Sequence, residues 1–293
     1  MHARTIPETG RAFSAPSGTE DLLEPWSLRR VELKARLLTC LRRHGYALVS
    51  TPPFEYADVI ERSLPDHRSA EVVRFVEADS GRVVLLRPDI TPQVARIAST
   101  HLRAHPAPLR LCYQGTVVRR DKRRARRSQQ SSQVGVECIG LPGLDGDVEV
   151  LRLLGDACRA AGLTHYRVEI GRVDLGRALL APVPAPWRAQ AAAALLRKDH
   201  GLLQQVLTES QTTGPEAAAL LALLEAYGDA ACLTALRQGL PQHRTVQACL
   251  DAVEALLDRL QDAHPTATLG VDLGELRGHA YYTSTHFTLF ADG

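Results

Sequence analysis

Residues 113–140 read YQGTVVRRDKRRARRSQQSSQVGVECIG, two apolar-flanked segments joined by a run of cations. The flanking stretches LRLCYQGTVVR and SSQVGVECIG have the β-branched and apolar texture of strands, so the chain is organised around a sheet that holds both. Between Arg119 and Arg127 stand seven basic residues and a single acidic one, Asp121. Such a run fits a solvated loop, a phosphate site or a nucleic-acid surface. The formal net charge of +2 requires any affinity for polyanions to be local. Arginine is also the default cation, because only Lys34, Lys122 and Lys198 are lysine among the 35 basic residues. A lone arginine is therefore weak evidence for a bidentate anion site.

The remaining pattern gives the sheet its helices. From Pro25 to His44 the apolar positions Leu28, Val31, Ala35, Leu38 and Leu41 recur every three or four residues, and Gly45 ends the run. YALVSTPPFEY reads as a strand with a proline break, and VVRFVEADSGRVVLLRPD as a hairpin turning at Asp79-Ser80-Gly81. In TPQVARIASTHL, Thr91 is expected as the helix cap, with Pro92 in the first turn. A helix near 146–162 and a strand at 165–170 follow. From about 172 to 263 alanine and leucine dominate and the stretch reads as helical. TATLGVDLG and AYYTSTHFTLF then return to strand texture. The fold class is α+β: an antiparallel sheet carrying helices, interrupted by a helical insertion.

A chain of 293 residues suffices for one large or two medium domains. The six cysteines form no CxxC pair and no metal-ligand spacing with histidine, which fits free thiols in a reducing cytoplasm. The first 18 residues lack an apolar signal core, and no apolar run reaches membrane-spanning length. The chain stops at FADG directly after a strand pattern, so a continuation past Gly293 is expected.

RRHGYALVSTPPFE, LLRPDITPQVAR, YQGTVVRRD with SSQVGVECIG, and LRGHAYYTSTHF come in the order and local spacing of the histidyl-tRNA synthetase-like catalytic domain. The resemblance implies a class II aminoacyl-tRNA synthetase-like antiparallel sheet over 18–175 and 266–293. It leaves 1–17 as a loose N-terminus and 176–265 as the helical insertion. ALLRKDHGLLQQVL and RPDITPQVAR are more similar to the paralogous family of ATP phosphoribosyltransferase regulatory subunits than to the synthetase.

Free histidine offers an ammonium, a carboxylate and an imidazole. The resemblance assigns the ammonium to Asp89 and Thr91, with aspartate where the synthetase usually has glutamate. It gives Gln133 the amino acid's backbone groups and Glu137 the imidazole. Gln133 and Glu137, four apart on a strand, share a face. Arg277 is assigned the carboxylate and Tyr282 the imidazole, with Tyr281 nearby. Local readings stay open: Asp89 and Thr91 also suit a helix cap, Gln133 and Glu137 a solvated sheet face, and Arg277, Tyr281 and Tyr282 ordinary surface and strand positions.

The nucleotide side is weaker. The resemblance places Arg119 on an α-phosphate, Asp121 near the triphosphate and Arg127 at its far end. Ser131, however, stands where the synthetase stacks adenine on phenylalanine, a loss worth about 1–3 kcal/mol. The glycine-rich third motif, whose arginine grips the other adenine face, is expected beyond residue 290, and the anticodon-binding domain beyond that. Arg119, Asp121, Arg123, Arg124, Arg126 and Arg127 therefore read as a solvated loop, a surface for an anion or an acidic partner, or a weak, salt-sensitive nucleic-acid contact.

The family reading is a non-catalytic regulatory subunit, without cofactor or metal, that activates a short-form ATP phosphoribosyltransferase catalytic subunit. It implies L-histidine as effector, feedback on the first step of histidine biosynthesis, and a dimer formed through residues 26–55. The alternatives are a histidyl-tRNA synthetase or a fragment of one, and a tRNA- or histidine-binding module. Neither membrane association nor specific nucleic-acid binding is expected.

Overall fold

A computed structural model describes residues 15–16, 18–62, 72–119, 129–240, 243–261, 267–276 and 282–291. The chain divides into two units, Met1–Gly140 and Leu141–Gly293.

The first unit opens with α1 (Trp26–Arg43), β1 (Ala47–Val49), β2 (Phe54–Tyr56) and α2 (Ala57–Glu61). It continues through β3 (Arg74–Val76), β4 (Val83–Leu86), α3 (Thr91–Ser99), β5 (Leu109–Val118) and β6 (Gln130–Ile139). The two segments beside the arginine run are β5 and β6, paired antiparallel from Leu109↔Ile139 to Val118↔Gln130. They form a sheet of order β1-β5-β6, and a smaller sheet has the order β2-β4-β3. In the latter, β3 and β4 are the expected hairpin, which turns back through Gly81 at φ 68°. Ile90, Val94, Leu111, Tyr113 and Val117 form the core that locks α3 onto β5.

Two features differ from the sequence expectation. The helix α1 forms as its periodicity predicts, but Leu41 is its only buried residue. Trp26, Leu28 and Val31 remain 49%, 50% and 63% exposed, so the apolar stripe is bare along the first two turns. The sheets are also mixed, because β1 pairs with β5 in parallel. Parallel neighbours need a long crossover connection, which the elements β2 to α3 provide.

The second unit begins with α4 (Leu144–Ala161), β7 (Tyr166–Arg172), α5 (Val173–Leu180) and α6 (Ala185–Arg197). Then come α7 (His200–Glu209), α8 (Gly214–Leu224), β8 (Tyr227–Gly228), α9 (Ala231–Gly239), α10 (Arg244–Leu260), β9 (Ala267–Asp272) and β10 (Thr285–Phe290). The sheet order is β10-β7-β9-β8. Its central pair, β7 and β9, is again parallel, and the helices α5 to α10 form the crossover between them. That places the alanine- and leucine-rich stretch within the sheet's own connectivity. Its core gathers Leu195, Leu203, Leu220, Leu223, Leu250 and Val253, and Asp199 caps α7 by accepting the Leu202 N–H at 2.9 Å.

One buried cation organises the first unit. Arg87 is 5% exposed and follows β4 directly. Its guanidinium donates to the carbonyls of Thr51 (3.0 Å), Pro52 (2.9 Å) and Thr116 (2.8 Å). It also donates to Thr51 Oγ1 at 2.7 Å and Gln93 Oε1 at 3.3 Å. Gly115 is required beside it, since a Cβ there would lie 2.1 Å from Nη2. All six cysteines are free, and no described helix is long and apolar enough to cross a membrane.

Candidate functional site

The chain leaves β4 through Arg87 and Pro88 and reaches Asp89 at the mouth of α3. Asp89 Oδ1 accepts the Ile90 N–H at 2.7 Å, so aspartate supports the helix entry. Thr91, expected as the cap, is instead the first helical residue, with Pro92 second. The shift by one residue frees its hydroxyl, which donates to Glu137 Oε1 at 2.7 Å. Asp89 and Thr91 thus combine the local role with a place in a polar cluster.

Strand β6 supplies the other side. Gln133 and Glu137 fall on one face, as their spacing predicts. Gln133 Nε2 donates to Asp89 Oδ1 at 2.9 Å, while its Oε1 is buried and has no hydrogen-bond partner among the described residues. Tyr113, from β5, donates to Glu137 Oε1 at 3.3 Å. Burial raises the Glu137 carboxyl above its ordinary range, and the Asp89 charge adds to this. The bonds from Thr91 and Tyr113 oppose the shift. Burial, with the charge of Glu137, pushes the Tyr113 phenol well above its usual value, so it stays a neutral donor.

The structure therefore brings Asp89, Thr91, Gln133 and Glu137 together. Arg119 lies at the rim, more than half exposed, with Nε donating to the Pro88 carbonyl at 2.6 Å and Nη2 3.9 Å from Asp89 Oδ2. Asp121, Arg123, Arg124, Arg126, Arg127, Arg277 and Tyr281 lie outside the described residues. Tyr282, in the second unit, is 45% exposed. Its ring stacks on His286 with centroids 6.3 Å apart, and its carbonyl accepts from Arg177 Nη2 at 2.9 Å. Ser131 is exposed on β6 opposite Val117.

Sequence reasoning missed Tyr113 and Arg87. Tyr113 sits two positions before Gly115 on a strand and resembles any core aromatic. Arg87 had one signal, a cation at the end of the apolar run VVLL. Chemically, two carboxylates and a bare amide carbonyl make a cluster rich in acceptors. It suits a ligand that presents several N–H donors. Among the described residues no group of three or more His, Cys, Asp or Glu side chains is placed to hold a metal ion.

The histidyl-tRNA synthetase family model matches residues 18–293. An ATP phosphoribosyltransferase regulatory subunit from Anaeromyxobacter sp. (strain Fw109-5) is 39% identical over 96% of this chain and 82% of its own length. One from Syntrophotalea carbinolica is 32% identical over 99% of this chain and 67% of its own. Among solved structures, an ATP phosphoribosyltransferase regulatory subunit/histidyl-tRNA synthetase from Bacillus halodurans superposes with TM-score 0.84 at 25% identity, covering 98% of this chain and 74% of that one. The ATP phosphoribosyl transferase complex of Thermotoga maritima contains a chain with the same fold, at TM-score 0.68 and 17% identity over 90% of this chain and 88% of that one. The fold and the family model define a member of the histidyl-tRNA synthetase family of class II folds. Within it, the chain belongs to the ATP phosphoribosyltransferase regulatory subunits.

A carboxyl whose pKa is raised on folding makes the native state take up protons, so the unliganded protein loses stability as pH rises through the folded pKa. Glu137→Gln keeps an acceptor for Thr91 and Tyr113 and removes the buried charge. It should raise the melting temperature at neutral pH in the absence of ligand. The gain should shrink as pH falls below the ordinary carboxylate range, where Glu137 is protonated in both states. Melting curves from acid to neutral pH check this.

Proposed function

We propose that the chain is the non-catalytic regulatory subunit that activates a short-form ATP phosphoribosyltransferase catalytic subunit and carries histidine feedback to it. The names of its relatives support the partnership. The acceptor cluster supports the effector, and the unpartnered Gln133 Oε1 is the observation that carries it. A buried acceptor left unpaired costs about 1–3 kcal/mol, which a donor on a ligand would relieve. In this reading Asp89 and Gln133 Oε1 receive the ammonium of L-histidine, and Glu137 receives an imidazole N–H. Ser131 offers no aromatic face to an adenine, which favours an effector site over an adenylation site.

The bare apolar stripe of α1, together with exposed Leu48 and Phe54, supports pairing of two copies through residues 26–55. Sedimentation velocity tests this part, and a monomer at every micromolar concentration would remove it.

Calorimetry tests the effector. L-histidine should bind the chain, or the chain with its catalytic partner, and Glu137→Ala should weaken binding by about 1–3 kcal/mol. The purified chain should show no histidine-dependent ATP–pyrophosphate exchange. Absence of histidine binding in both settings, or exchange well above a control without protein, overturns the proposal.

A further inference from the structure

We infer that Tyr113 is a positioning residue for Glu137, fixing which carboxylate oxygen faces the ligand. The inference rests on the histidine reading only for what the ligand is; the positioning itself stands on geometry within the first unit. Tyr113 is 4% exposed and belongs to the core of Ile90, Val94, Leu111 and Val117. Its register partner across the β5–β6 ladder is Gly135. A Cβ at Gly135 would lie 2.5 Å from the Tyr113 hydroxyl, so the phenol lies flat over a position that must lack a side chain. Gly135 is midway between Gln133 and Glu137 on the same strand face. The hydroxyl therefore passes across the ladder and emerges beneath the carboxylate two residues further on.

The hydroxyl has two neighbours, Glu137 Oε1 and, at 3.4 Å, Thr91 Oγ1, and the three groups form one cluster. Tyr113 OH at 3.3 Å and Thr91 Oγ1 at 2.7 Å both donate to Oε1 of Glu137. Among the described residues Oε2 accepts no hydrogen bond, which leaves it for a ligand. Two donors on one oxygen, one from β5 and one from α3, define the rotamer of a side chain that would otherwise have freedom about its terminal torsion. They also favour the ionised form against burial and the nearby Asp89 charge. The described titratable or charged groups around Glu137 are Asp89, held 3.9 Å from Arg119, and Tyr113 itself. A ligand imidazole N–H thus meets an oriented acceptor whose reorganisation has been completed by folding.

Tyr113→Phe tests this, because it keeps the ring in the core and deletes only the donor. Carbon-detected NMR titration of the Glu137 side-chain carboxyl in the unliganded chain should show its midpoint moving to higher pH than in the parent. Histidine affinity at neutral pH should fall roughly tenfold, the order expected for one hydrogen bond to a charged group. The loss should deepen toward acid pH, since protonated Glu137 is a poorer acceptor. Gly135→Ala, which displaces the hydroxyl from the other side, should reproduce the shifted titration. An unchanged Glu137 midpoint in Tyr113→Phe overturns the inference, as does an affinity loss equal at every pH, which marks lost packing. If the parent chain binds no histidine while the NMR midpoint moves as expected, the positioning role stands and the effector assignment falls.

Discussion

A guanidinium buried without a carboxylate fixes the geometry on which the first unit's polar cluster depends. Arg87 spends its donors on backbone carbonyls from the β1–β2 connection and from β5, and on Gln93 in α3. Losing any one of those acceptors would leave a buried charge under-satisfied, so the elements are held in one arrangement. Pro88 follows at once, and Asp89 and Thr91 are delivered to the cluster from a residue that cannot move. The Val118 N–H donates to the Arg87 carbonyl at 3.0 Å, tying the same corner to the end of β5. Burial lowers the Arg87 pKa, and a guanidinium is a cation across the working pH range.

On that frame the chain assembles acceptors. Asp89, Gln133 Oε1 and Glu137 come from two elements that only the tertiary fold brings together. The unliganded cluster is under strain in the electrostatic sense: a raised carboxyl and an unpaired amide oxygen both await donors. Such a site trades stability of the free chain for affinity toward a ligand rich in N–H groups. Under the proposed function, effector binding then acts on the catalytic partner as a coupling free energy, reciprocal between histidine and partner.

Much of this was legible because period and spacing are local quantities. The β5–β6 pair and the helical stretch after residue 172 follow from local residue texture, and the placing of Gln133 and Glu137 on one face from the strand's period of two. What escaped depends on long-range placement. Thr91 looked like a cap because Thr-Pro commonly opens a helix, yet Asp89 supports the entry and releases the threonine hydroxyl to a strand 46 residues away. Tyr113 could not be told from a core aromatic until its opposition to Gly135 was known. Leu28 and Val31 announced an amphipathic helix, but sequence does not say whether the stripe has a neighbour in the same chain. The parallel β1–β5 and β7–β9 pairings were likewise hidden, since parallel neighbours are set by what crosses between them.

The most direct test is the activity of the catalytic ATP phosphoribosyltransferase subunit reconstituted with this chain or with its Glu137→Gln variant, across a series of L-histidine concentrations. The account predicts that both chains activate the catalytic subunit equally without histidine, and that inhibition by histidine moves to much higher concentration with the variant. Inhibition at the same histidine concentration with either chain would contradict it, and would place the effector site elsewhere.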